Sequence, residues 1–188
     1  MAQGGVLPDG GKGLTFGDED GIINIDWQGE PTKRDVKLSD EAKSYDEQLQ
    51  KKSDYITGKS GAFREDDVRW LSAKNGVEYA CLTIGDESVL IRGDSGSTSI
   101  SDEFFDRLVK NGGTFDYHTH PYDGDIIPSQ SDMALMGKLS GLTGQETSKI
   151  ISTDGLYSTY TEYGIVETGT VTREIDDDYA EFLSMLFS

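Results

Sequence analysis

The 188-residue chain contains one cysteine, two histidines and four prolines. The single thiol, Cys81, excludes an intrachain disulfide and hence a disulfide-built scaffold. It lies in the largely apolar run Val77–Ile84 and reads as a small buried hydrophobe rather than a nucleophile. No apolar run approaches the ~20 residues that a membrane-spanning helix needs. Met1–Gly21 has neither the basic start nor the apolar stretch of a secretory leader, which points to the cytoplasm or to a segment of a larger phage or effector polypeptide. Positive charge is also scarce: 17 Lys and Arg stand against 35 Asp and Glu, a formal net charge of −18. Such a surface repels phosphate, so nucleic acid and anionic membranes are expected to be poor partners.

What is present suffices for one packed domain with a small appendage. Residues 1–22 are rich in Gly and Asp and read as a loose arm, with Ile23–Trp27 a short strand. Leu38, Ala42, Tyr45 and Leu49 recur at helical spacing behind the N-cap candidate Ser39, which predicts a helix over about 38–56. Lys59–Ala62 reads as a linker, so the expected division is an N-terminal extension over 1–60 and a catalytic domain over 61–188. Within the latter, Arg64–Lys74 predicts a helix stopped by Asn75-Gly76. Val77–Ile84 and Ser88–Arg92 predict a hairpin. Ser101 caps a helix bearing Phe104, Phe105, Leu108 and Val109, and Thr114–His118 predicts a short strand. A helix over Ser131–Leu142, strands over Lys149–Ser152, Leu156–Tyr163 and Ile165–Thr172, and a final helix over Tyr179–Phe187 complete an α+β domain.

Both histidines fall in Tyr117-His118-Thr119-His120-Pro121, a spacing that chance gives about one time in a hundred. Two residues apart on a strand, they point to one face and can reach one ion. A catalytic metal site needs a third protein ligand and an open position. Asp132, in the first turn of the helix after the loop, is the best placed acid, whereas Asp123 and Asp125 read as solvated loop residues. Tyr117, Tyr122, Tyr157, Tyr160 and Tyr163 read as packing or rim residues. Two imidazoles and a carboxylate suit zinc best.

The run His118-Thr119-His120, eight residues, Ser129-Gln130-Ser131-Asp132 resembles the H-x-H-x(7–10)-S-x-x-D signature of JAB/MPN (JAMM) metalloproteases. The resemblance covers about residues 62–165 and includes the strand before, the proline after the second histidine and the helix after. It implies an α/β/α sandwich-like fold with a mixed, mostly antiparallel sheet flanked by helices, the cytidine-deaminase-like architecture. It implies Zn2+ held by His118, His120 and Asp132 with a water as fourth ligand, and Ser129 as a hydrogen-bond donor to that water or to the oxyanion. It also implies a glutamate general acid/base on an earlier strand, for which Glu78 ranks ahead of Glu65 and Glu87. The activity implied is hydrolysis of a peptide or Lys-linked isopeptide bond, with a ubiquitin-like conjugate or a polyprotein, toxin or virion protein as substrate. The chain looks like the compact prokaryotic or phage-encoded members. The competing expectation is an inactive scaffold or interaction domain of the same family. A DNA-repair-associated branch of the superfamily fits poorly with the −18 charge.

Overall fold

A computed structural model describes residues 14–16, 23–25, 31 and 33–171 of the chain. It divides into two compact units, residues 1–31 and 32–188. In the first, β1 (Leu14–Phe16) pairs antiparallel with β2 (Ile23–Ile25). The remainder of the expected arm and the helix expected over Tyr179–Phe187 lie outside the described residues.

The second unit is α+β. Its helices are α1 (Asp40–Gln48), α2 (Glu65–Asn75), α3 (Asp102–Lys110) and α4 (Gln130–Thr143). Its strands are β3 (Tyr55–Lys59), β4 (Tyr79–Ile84), β5 (Glu87–Arg92), β6 (Thr114–His120), β7 (Ser148–Ser152), β8 (Leu156–Thr161) and β9 (Gly164–Thr170). They form one seven-stranded sheet in the order β3-β5-β4-β6-β7-β8-β9. Every neighbouring pair is antiparallel except β6 and β7, which run together because α4 returns the chain between them.

Alternation along the strands sends side chains into two separate cores. Ala80, Leu82 and Ile84 of β4 pack with Phe104, Leu108, Met136 and Leu139 of α3 and α4. Tyr79 and Cys81 pack on the other face with Ala42, Val68 and Leu71 of α1 and α2. Helices therefore cover both faces of the sheet. Burial pushes the Cys81 thiol up to about 12, so it packs as an uncharged apolar group. Among the described residues no helix is long and apolar enough to cross a membrane.

The region before residue 61 departs from expectation. The helix expected over 38–56 stops at Gln48. There Asp54 Oδ2 accepts the Gln50 and Lys51 backbone N–H groups at 2.9 and 2.6 Å, offering the chain an alternative to another helical turn. The β-branched pair Ile56-Thr57 then continues as β3, the edge strand beside β5. Leu38, Ala42 and Leu49 are buried in the second core. The sheet-bearing unit thus starts near residue 32, not 61, and α1 and β3 are part of it.

Candidate metal centre

β6 carries the site, and a β-bulge sets its geometry. Ala80 pairs with His118 and Cys81 with Tyr117, but Leu82 pairs with Phe115, leaving Asp116 as an extra residue. Asp116 accepts hydrogen bonds from the Thr83 and Thr114 hydroxyls at 2.6 and 2.5 Å. The Gln145 side chain satisfies the Phe115 backbone, accepting from its N–H at 2.9 Å and donating to its C=O at 2.8 Å. Past the bulge, Tyr117 and Thr119 face one core while His118 and His120 face the other side. Thr119 Oγ1 locks this register by accepting the Tyr79 N–H at 2.9 Å.

His118 and His120 are both buried. Their Nε2 atoms stand 3.2 Å apart, and Asp132 Oδ1 is 3.4 Å from His118 Nε2. One ligand atom from each residue falls within 4.8 Å of the others. In a tetrahedral zinc site with ligands at 2.0–2.2 Å, donor atoms stand roughly 3.3–3.5 Å apart. The donor set fits such an ion in type, and the two separations from His118 Nε2 match its spacing. Two facing Nε2 atoms with a carboxylate oxygen beside them form a cluster of lone pairs that a cation would bridge.

Asp132 reaches the histidines through its place in α4. Ser129 is the N-cap: its Oγ accepts the Asp132 N–H at 3.2 Å, and its own N–H donates to Asp132 Oδ2 at 2.7 Å. This capping box holds one carboxylate oxygen and leaves Oδ1 facing His118. Burial pushes the Asp132 pKa up, but the His118 charge and the Ser129 bonds outweigh it and hold the carboxyl well below its usual range. Ser129 thus has a structural role in the described contacts, while its hydroxyl proton stays available for donation.

Glu78 precedes β4, and its N–H and C=O continue the pairing with the chain after β5 through Asp94 O and Gly93 N, each at 2.8 Å. Extending the Ala80–His118 register by two residues puts Glu78 opposite His120, on the histidine face. Its side chain is buried, and Thr98 Oγ1 donates to its Oε2 at 3.2 Å. Desolvation raises its pKa; the histidines pull it back and Asp132 adds to the rise. The other two acids are committed elsewhere, Glu65 to Lys149 at 2.6 Å and Glu87 to Arg107 at 2.8 Å.

Asp125 is the residue that sequence reasoning misplaced. Only 4% exposed, it sets Oδ2 3.1 Å from His120 Nδ1. Burial opposes charging of His120, yet the Asp125 carboxylate, with Glu78 and Asp132 behind it, carries the imidazole pKa above its ordinary value. Asp123 behaves as expected of a surface acid, pairing with Arg34 at 2.5 Å. The histidine spacing gave no signal for Asp125, since only the path of the 121–128 loop brings it inward. A scan against protein-family models, a search of curated proteins and a search of solved structures each return no match. The site's own geometry therefore carries the functional argument. Tyr160, buried beneath His118 with ring centroids 6.1 Å apart, acts as packing, while Tyr163 is exposed.

Proposed function

We propose that this chain is a zinc-dependent hydrolase of the JAB/MPN type, cleaving a peptide or Lys-linked isopeptide bond. The observation that carries the reading is the convergence of His118, His120 and Asp132 within 4.8 Å beside a buried glutamate on the same face. His118 and His120 come from one strand and Asp132 from the helix that follows, which supplies the three protein ligands of a catalytic zinc site whose fourth position takes water or substrate. Zinc supplies Lewis acidity and a water of lowered pKa when bound.

Glu78 takes up a proton at a carboxylate oxygen and hands it to the leaving amine. Desolvation raises its pKa above the ordinary carboxyl range, the direction that favours a group which must both accept and return a proton. Thr98 holds Oε2, which leaves Oε1 for the reacting groups. The Ser129 hydroxyl, whose oxygen already caps α4, turns its proton towards the oxyanion. The substrate is a protein or peptide, with a ubiquitin-like conjugate the first to screen. An acidic surface of net charge −18 favours basic protein partners and disfavours nucleic acid.

The test is metal content by elemental mass spectrometry for the wild type beside His118→Ala, followed by peptide and isopeptide cleavage assays. About one zinc per chain, lost in the variant, together with cleavage that Glu78→Gln abolishes, is the expected result. Zinc without cleavage of any substrate favours a metal-bearing scaffold. No stoichiometric metal after zinc is offered removes the hydrolase reading.

A further inference from the structure

We propose that Asp125 is the positioning residue of the metal centre, fixing the His120 ring so that its Nε2 lone pair is presented to the ion. This inference rests on the metal-centre reading above and assigns a role to a residue outside the ligand set. The two nitrogens of an imidazole lie on opposite sides of the ring. With His120 Nε2 turned to His118, 3.2 Å away, Asp125 Oδ2 stands behind the ring, 3.1 Å from Nδ1. Asp125 is therefore a support to the ligand, not a fourth ligand through that contact. A proton on Nδ1, facing a carboxylate, leaves Nε2 unprotonated, which is the tautomer that metal binding requires.

The loop is built to deliver this carboxylate. Gly124 adopts φ +70, a left-handed conformation that reverses the chain between Asp123, turned out to Arg34, and Asp125, turned in. The Gly124 N–H donates to Asp154 Oδ1 at 3.1 Å, and Ser158 Oγ donates to the Ile126 C=O at 2.5 Å, so both flanks of Asp125 are tied to the β7–β8 region. A buried carboxylate is costly unless paired. Among the described residues, Asp125 has besides His120 a long contact from the Ile127 N–H, 3.5 Å from Oδ1. The two ligand histidines are thereby unequal. Both Nδ1 atoms are buried without a hydrogen bond of regular geometry, but a carboxylate is recorded beside only one of them: Asp125 Oδ2 lies 3.1 Å from His120 Nδ1, within reach of a small turn of the ring.

The experiment measures zinc affinity by competition with a chromophoric chelator for wild type, Asp125→Ala, Asp125→Asn and His118→Ala. In parallel, long-range 1H–15N spectra of the metal-free wild type and Asp125→Asn at alkaline pH report the tautomer of each ring; with two histidines in the chain, assignment is direct. The expected result is a 10–100-fold loss of zinc affinity in Asp125→Ala, with Asp125→Asn intermediate because its amide oxygen can accept from Nδ1 but carries no charge. The wild-type His120 is expected as the Nδ1–H tautomer. Should the alanine variant fail to fold, the near-isosteric asparagine variant carries the comparison. Wild-type zinc affinity in the variants, or an Nε2–H tautomer at His120 in the wild type, overturns the role of Asp125 and leaves the metal centre standing. A wild type that binds no zinc removes the metal centre itself and this inference with it.

Discussion

Phe115 lies stacked against His118, with ring centroids 5.6 Å apart and planes 25° from parallel, although they stand three positions apart on one strand. In a regular strand these positions face opposite sides; the extra residue at Asp116 brings them to one face. The stack gives the His118 ring an apolar floor.

Phe115→Ala should therefore act twice. Phe115 is buried, and truncation of a buried phenylalanine costs about 3–5 kcal/mol. Chemical denaturation of the metal-free protein should register that loss. Zinc affinity should fall as well, because His118 loses the surface that orients it. A variant destabilised by this amount with unchanged affinity shows that the ring is core packing only.

Glu78→Gln tests a buried carboxylate through the pH dependence of stability. The folded-state pKa is raised, chiefly by desolvation, so the folded chain holds this proton more tightly than the unfolded chain. Stability is then lost as pH rises from the ordinary carboxyl range through the raised folded value. With metal removed by chelator, the glutamine variant should be the more stable form at neutral pH, the gap closing below the ordinary carboxyl range. Parallel stability–pH curves for the two proteins would show that Glu78 is well solvated.

The two halves of the capping box can be separated at one position. Ser129→Ala removes only the hydroxyl and should cost about 1 kcal/mol of stability, with little change in zinc affinity. Ser129→Pro also removes the N–H that holds Asp132 Oδ2, and the native φ of −71 is one that proline accepts. The proline variant should bind zinc more weakly than the alanine variant. Equal affinities would mean that α4 alone positions Asp132.

Gly93→Ala probes the support of Glu78. A Cβ at Gly93 would fall 2.3 Å from Ser97 O and 2.5 Å from Thr98 Oγ1, too close for the loop to keep its path. Thr98 should be pushed off Glu78 Oε2. Hydrolysis should fall more than in Thr98→Val, which removes the same bond without moving the backbone. A Gly93→Ala protein as active as the wild type would show that Glu78 needs no such support.

Much of this arrangement is legible in the chain. Helix caps at Ser39 and Ser101, the hairpin turn at Gly85 and the stop at Gly76 are local signals, and each acts where it is written. The His118, His120 and Asp132 convergence follows from strand alternation and a helix start, both short-range rules. Three features were not legible because they depend on distant partners. β3 is a strand because β5 offers it a ladder, against a helical pattern that runs up to it. The bulge at Asp116 is hidden by the regular alternation of Phe115 and Tyr117. Asp125 reads as a solvated acid until the loop tethers at Asp154 and Ser158 turn it inward.

The position of β6 has a consequence for how the sheet opens. β3, β5 and β4 stand on one side of it and β7, β8 and β9 on the other, and it hydrogen-bonds to both. The β4–β5 and β8–β9 hairpins are joined by short turns and can form early, whereas β6 must close sequence separations of more than thirty residues. Its amide protons should therefore exchange with solvent only when the whole sheet comes apart. A cation bound at His118 and His120 would therefore be felt in the lifetime of both halves, not in the 118–132 segment alone.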